Sequence, residues 1–322
     1  MTDIPYFDAD QVRSILTFER AITALEDGLR AGVDPENDGP RLFSPAPDGE
    51  FLLMPAQGPE FSGLKALTVA PNNPARGLAK IQGLYALYSS DTLEPVAVME
   101  GSSLTAIRTP AVTLMAIRHL ARAALPGQEV PAQPNILIFG AGIQAVGHIN
   151  AALVDFPDAQ FSIVGRTQSK VDDLIAGFPE LGIRDRGGDI DAAVREADII
   201  ICVTTATAPL FDGSLVKDSA IVAAAGTHGL DLRELDDALI GRSDLALEGR
   251  GSAQRENGNL ATTFSEADWA SENLPVNLRE LVVSGIERHE GRPAVYTGVG
   301  MSWEDLLCAA AVFAEGRQHS GR

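Results

Sequence analysis

A short apolar run, Asn135-Ile-Leu-Ile-Phe139, leads straight into Gly140-Ala-Gly-Ile-Gln-Ala145, and a helical pattern follows. No other stretch of the chain restricts its fold so tightly. In a dinucleotide-binding βαβ unit the first Gly makes the tight turn after the strand. The second Gly lets a pyrophosphate approach the backbone, and the N-terminus of the next helix favours the phosphate charge. Gly140 and Gly142 take those roles, and Ala145 stands at the third position. The turn therefore predicts cofactor contacts from Gly140, Ala141, Gly142, Ile143 and Gln144.

The pattern around the turn supports it. Strands are expected at 135–139, 160–164, 199–203, 219–224 and 244–247, and helices at 143–154, 169–176 and 189–196. Such alternation predicts a parallel sheet covered on both faces. Residues 250–268 are polar and Gly-rich and read as a loop, and a last helix begins near Ser302. Before the turn the reading is mixed α+β. A helix over 17–30 is capped by Thr17, 34–50 is loop, and strands follow at 51–54, 63–69, 83–88 and 95–99. From Ser103 to about Ala123 the pattern is helical, interrupted by Pro110. Either the helix kinks there, or Thr109 caps a helix with Pro110 at its first position. The Pro- and Gly-bearing stretch 126–134 reads as a linker.

With 322 residues, the chain has room for a second domain besides the dinucleotide-binding one. Its net charge of −19 argues against nucleic acid as a partner. No apolar run reaches the roughly 18 residues of a membrane span. The N-terminal Met1-Thr2-Asp3-Ile4-Pro5 lacks a basic-then-apolar signal pattern, so a cytoplasmic protein is expected. Cys202 and Cys308 lie in apolar runs and read as core residues, and no Cys/His spacing points to a metal.

The end of the second Rossmann-type strand decides the cofactor. An NAD site carries an acid there for the ribose hydroxyls. Here Gly165-Arg166-Thr167 follows Phe161-Ser-Ile-Val164. The Arg166 fork suits a 2′-phosphate, so NADPH is favoured, with NADH as the alternative. Three cations stand out in the N-terminal half: Arg41, Lys65 and Arg108. Lys65 is the least expected, because a Lys between Leu residues in a strand must snorkel or meet an anion. Together the three would bind a carboxylate.

A larger set of elements runs in order through the chain. Gly63-Leu-Lys65 is followed by Pro71-Asn-Asn73, Leu104-Thr105, Arg108-Thr109 and Gly140-Ala-Gly-Ile-Gln-Ala145. Arg233-Glu-Leu-Asp236, Tyr296-Thr-Gly-Val-Gly-Met301 and Asp305-Leu306 complete it. In this order the chain resembles the ornithine cyclodeaminase/μ-crystallin family over nearly its whole length. The resemblance implies an α/β protein with three segments. Residues 1–125 would form most of a substrate and dimerisation domain, 126–298 a Rossmann domain, and 299–322 a helix returning to the first. It also implies a homodimer, with Arg41, Lys65 and Arg108 around the carboxylate of an amino or imino acid. Thr109, Gly165, Arg166, Thr167, Thr204, Gly226 and Gly298 would join the Gly140 turn in holding the cofactor.

The departures from the family pattern carry information too. Cyclodeaminases place an Asp in the loop after the fourth Rossmann strand, where this chain has His228. They also place a Glu before the Met-Pro pair to hold the distal amine of ornithine, and here Leu52 meets that amine. Losing such a charged hydrogen bond, roughly 1.5–3 kcal/mol, disfavours ornithine. The resemblance then implies an NAD(P)H-dependent ketimine reductase of cyclic imino acids, of the Δ1-pyrroline-2-carboxylate or Δ1-piperideine-2-carboxylate kind. Lys65 and His228 are its proton-donor candidates. An alanine-type amino acid dehydrogenase, a cyclodeaminase-like deaminase and a non-catalytic NADPH-binding protein are the rival readings.

Overall fold

The computed structural model describes residues 4–320. Met1–Asp3 of the N-terminal reading and the last two residues of the 299–322 segment lie outside them. The chain divides into two compact units. One contains the residues up to Ala111 together with those from Met301 on, and the other is Val112–Gly300. The division falls inside a helix, Gly101–Arg122, and not in the Pro-rich stretch 126–134.

The first unit is built on strands β1 (Tyr6–Phe7), β2 (Leu42–Ala46), β3 (Gly49–Ala56), β4 (Phe61–Val69), β5 (Ile81–Ser89) and β6 (Pro95–Glu100). Their order is β1-β6-β5-β4-β3-β2, antiparallel from β2 to β6, with β1 parallel to β6 at the edge. Alternation decides which face is buried. Met54, Lys65 and Tyr85 lie directly opposite one another across β3, β4 and β5, and all three are buried. The C-terminal helix Ser302–Ser320 packs against these three strands and against the helix Phe18–Arg30. Thr17 caps the latter by accepting from Arg20 N, and Ile22, Leu25 and Leu29 are its buried stripe. The other face of the sheet leaves Leu42, Phe51 and Leu84 exposed.

The second unit holds β7 (Asn135–Phe139), β8 (Gln160–Val164), β9 (Arg184–Asp185), β10 (Ile199–Cys202), β11 (Ile221–Ala224), β12 (Asp244–Leu247), β13 (Val276–Asn277) and β14 (Ala294–Thr297). They form an eight-stranded parallel sheet in the order β13-β12-β14-β11-β10-β7-β8-β9. The central strands β10, β11 and β14 are buried at every position, as a sheet covered on both faces requires. The chain turns to opposite sides of β7 at the β7–β10 boundary. Doubly wound sheets bind their ligands at that switch point, and the Gly140 turn sits there.

Three expectations change, and one open alternative, at Pro110, is decided. The stretch 34–50 is not all loop, because it contains a 3-10 turn at Pro35–Asn37 and β2, which pairs with β3. Pro45 obscured that strand, yet Pro is tolerated on an edge strand such as β2. Residues 250–268 contain the helix Arg250–Glu256 and the start of Glu266–Trp269, which Ser265 and Asp268 close with a capping box. Pro110 lies inside the continuous helix Gly101–Arg122, so no helix begins there. The start is set instead by Glu100, whose carboxylate accepts from Ser102 N at 3.0 Å and Ser103 N at 2.6 Å. Finally, β14 escaped the periodicity reading because a buried four-residue strand has no alternation to show.

Candidate active site

In the first unit, Lys65 does meet an anion. Its Nζ donates to Asp305 Oδ2 at 2.6 Å, and both side chains are essentially fully buried. The other carboxylate oxygen of Asp305 lies 3.4 Å from Arg108 Nε. Arg108 Nη1 donates in turn to Glu304 Oε2 at 2.5 Å. Lys65, Asp305, Arg108 and Glu304 thus form one buried chain of alternating charge. β4 presents Lys65, the helix Gly101–Arg122 presents Arg108, and the first turn of the C-terminal helix presents both acids. Asp38 fixes that turn by accepting from Ser302 N at 2.9 Å and Trp303 N at 3.2 Å.

Burial pushes the Lys65 ammonium down to about 8, against the opposing pull of Asp305, while the charges of Arg108 and Arg41 lower it further. Arg41 is half-buried and near enough to act on Lys65 through its field. The three predicted carboxylate-binding cations therefore belong to one electrostatic group. Two of them are already matched by acids that the sequence reading had not placed in the site, Glu304 and Asp305. The signal was available, since a Lys buried among Leu residues demands an acid, but nothing local says that it comes from 240 residues away. Leu52 is buried on the same sheet face as Met54 and Lys65, where it packs with Met54 and Leu67.

In the second unit, Gly140 has φ +118°, and a Cβ there would come within 2.6 Å of the Val203 carbonyl oxygen. Only Gly fits such a turn. Gly142 is the N-cap of the helix Ile143–Asp155, with no side-chain cap and no atom within 4 Å of where its Cβ would stand. Ile143, which follows it, is 71% exposed. An uncapped helix start facing open space, with its first amide N–H groups at hand, fits a pyrophosphate. At the end of β8, Arg166 and Thr167 are exposed beside Gly165, and among the described residues Arg166 forms no ion pair. A guanidinium so placed fits a 2′-phosphate. Thr204, Gly226 and Gly298 follow the C-terminal ends of β10, β11 and β14. His228 is exposed on the turn after β11. Thr109 is buried next to Arg108 in the first unit.

Two buried carboxylates that the sequence reading missed brace these loops. Glu234 accepts from Thr204 N, Thr204 Oγ1 and Gly226 N at 2.6, 2.7 and 3.0 Å. Glu248 accepts from Val299 N, Gly300 N and the Tyr296 hydroxyl. Both cysteines are buried, as expected, and burial pushes the Cys202 and Cys308 thiols up. His148 is buried in the helix after the Gly140 turn, and burial lowers it to about 4, so it is neutral at pH 7. No helix among the described residues is long and apolar enough to cross a membrane.

Comparison with known proteins agrees across both units. The sequence profile of the ornithine cyclodeaminase/mu-crystallin family matches residues 7–320. The chain is 28% identical to a Δ1-pyrroline-2-carboxylate reductase of Colwellia psychrerythraea over 94% of this chain and 96% of that one. It is 30% identical to the ketimine reductase mu-crystallin of Mus musculus over 90% of this chain and 94% of that one. Among solved structures it is similar to Thermococcus litoralis Δ1-pyrroline-2-carboxylate reductase in complex with NADH and L-proline. There the TM-score is 0.82, with 21% identity and 98% of each chain covered.

Proposed function

The chain belongs to the ornithine cyclodeaminase/mu-crystallin family, and from that membership we propose that it is an NAD(P)H-dependent reductase of small cyclic α-imino acids. Its substrates are of the Δ1-pyrroline-2-carboxylate or Δ1-piperideine-2-carboxylate kind, and its products are L-amino acids. Relatives that align over most of their length carry the names of such reductases. The observation that carries the reading is the buried chain Lys65–Asp305–Arg108–Glu304, with apolar Leu52 on the same sheet face as Lys65.

Arg41 and Arg108 hold the substrate carboxylate, the guanidinium fork being matched to its two oxygens. Glu304 and Asp305 keep Arg108 in place. Lys65 completes the carboxylate site and keeps the imine nitrogen protonated. Burial leaves its ammonium at about 8, low enough to give up a proton readily and high enough to carry one at neutral pH. When bound, the reduced nicotinamide supplies the hydride that the imine carbon takes up. The Gly140–Gln144 turn, Gly165, Arg166, Thr167, Thr204, Gly226 and Gly298 hold that cofactor, and the exposed Arg166 favours NADPH over NADH. Thr109, next to Arg108, joins them in the family pattern. His228 is the second proton-donor candidate. Leu52 disfavours a substrate with a second, cationic amine, so ornithine cyclodeamination is not the reaction.

A homodimer goes with this reading. Its support is the outer face of the first unit's sheet, where Leu42, Phe51 and Leu84 are exposed. A cytoplasmic location, where reduced nicotinamide cofactors are kept, goes with it too. The test is a screen of NADPH and NADH oxidation with both cyclic imines, and with pyruvate in the presence and absence of ammonium. Turnover of a cyclic imine without ammonium is expected. Turnover confined to pyruvate with ammonium would replace this reading by an amino acid dehydrogenase.

A further inference from the structure

Glu234 is fully buried in the second unit, and among the described residues its carboxylate forms no ion pair. Burial raises its pKa, while the groups donating to it pull the other way. A buried carboxylate is expensive unless its oxygens are satisfied. Here both are satisfied by loops. Oε1 takes the amide and the hydroxyl of Thr204, and Oε2 takes the amide of Gly226. Those loops leave the C-terminal ends of two adjacent parallel strands, β10 and β11. The ligand side of a doubly wound sheet lies there.

The packing around this bridge is close. A Cβ on Gly226 would stand 2.2 Å from Thr204 N and 2.6 Å from Glu234 Oε1. The bridge is itself held in place. Asn259 Oδ1 accepts from Glu234 N at 2.7 Å and Leu235 N at 3.0 Å. Asn259 Nδ2 and Asn257 Nδ2 donate to Thr297 Oγ1, the last residue of β14 and the neighbour of Gly298. One polar lattice therefore ties together the loops after β10, β11 and β14, each of which contributes a residue to the cofactor site assigned above.

We propose that Glu234 is a positioning residue: through Thr204 and Gly226 it holds the dinucleotide-binding loops in their binding geometry without touching the substrate. The inference rests on the functional reading above. It makes a specific demand on chemistry, because Glu234 must accept on both oxygens. Glutamine has the same shape but carries a donor on one side. Whichever way its amide turns, an N–H faces either Gly226 N–H or the two donors of Thr204.

The test compares wild-type protein with Glu234→Gln, Thr204→Val and Thr204→Ser. NADPH affinity is read by titrating nicotinamide fluorescence, and the imino acid KM is read at saturating NADPH. An unsatisfied buried donor predicts a loss of about tenfold or more in NADPH affinity for Glu234→Gln. Thr204→Val, which removes the hydroxyl that donates to Glu234 and accepts from Ala206 N, should lose less, and Thr204→Ser, which keeps that hydroxyl, should lose least. For Glu234→Gln the imino acid KM should stay unchanged. A merely structural role would lower the unfolding temperature while leaving NADPH affinity in the folded fraction intact, and that result would overturn the proposal. If Glu234→Gln does not fold, the Val and Ser pair decides, and equal affinities there overturn it. Wild-type protein that binds neither NADPH nor NADH would overturn the functional reading itself. Normal wild-type binding with an unaffected Glu234→Gln would overturn only this role.

Discussion

Replacing Asp305 by Asn removes the carboxylate that faces Lys65 Nζ at 2.6 Å and leaves a side chain of the same shape. Lys65 then has two courses. It can stay charged and unpaired in the core, for which breaking a buried pair costs roughly 3–5 kcal/mol. Or it can give up its proton. From a pKa of about 8, neutralising Lys65 at pH 7 costs roughly one pKa unit, about 1.4 kcal/mol. The second course is cheaper, so the variant should fold with a neutral Lys65 and lose about 1–2 kcal/mol of stability. For units of this size that is a fall of about 2–8 °C in unfolding temperature.

The consequence for activity is larger. In the proposed role of proton donor, Lys65 can act only while protonated, that is, below its folded pKa. The wild-type rate should therefore fall as pH rises through about 8. Asp305 is the group that raises this pKa, so its loss moves the alkaline limb to lower pH. At pH 7 kcat/KM for a cyclic imine should drop by roughly 10²-fold, the scale of a lost general acid, and recover partly near pH 6. The assay is the pH profile of kcat/KM from pH 5.5 to 9 for both proteins, with thermal unfolding alongside. A variant that keeps the wild-type alkaline limb would refute the assignment of that limb to Lys65. A variant that loses 10 °C or more would refute the argument that the lysine neutralises.

Other outcomes follow from single sites. Arg166→Ala should weaken NADPH binding about tenfold or more and leave NADH binding unchanged, which parallel titrations with the two cofactors will read. Gly140→Ala forces a side chain into a φ of +118° and against the Val203 carbonyl. Roughly 1–3 kcal/mol of backbone strain is expected, with loss of cofactor binding, measured by thermal unfolding and fluorescence titration. Leu84→Asp puts a charge on the exposed outer face of the first unit's sheet. If the wild type is the dimer proposed above, sedimentation velocity should then show a monomer, and an unchanged mass would remove that face from the interface.

How much of this was legible in the sequence depended on the range of the interactions. The Gly140 turn was legible because its chemistry is local: a strand, two glycines and a helix start lie in eleven consecutive residues. Lys65 was legible as an anomaly, since a lysine between leucines in a strand needs an anion. Its partner was not, because Asp305 is brought to β4 by a helix from the far end of the chain. Glu234 was visible only as one letter of Arg233-Glu-Leu-Asp236. Its function as a brace appears when β10 and β11 become neighbours. The short elements failed for a different reason. β2 carries a proline that an edge strand tolerates, and β14 is buried at every position, so neither shows the alternation by which strands are read.

The central claim is that reduced cofactor transfers hydride to the α-carbon of a cyclic imino acid, and isotope transfer tests it most directly. The protein would be incubated with Δ1-piperideine-2-carboxylate or Δ1-pyrroline-2-carboxylate and NADPH bearing deuterium at the transferable nicotinamide position, without ammonium. The product should be the L-amino acid carrying deuterium at its α-carbon, formed in step with NADPH oxidation. Absence of both oxidation and label with either imine, for protein that binds the cofactor normally, would contradict the account.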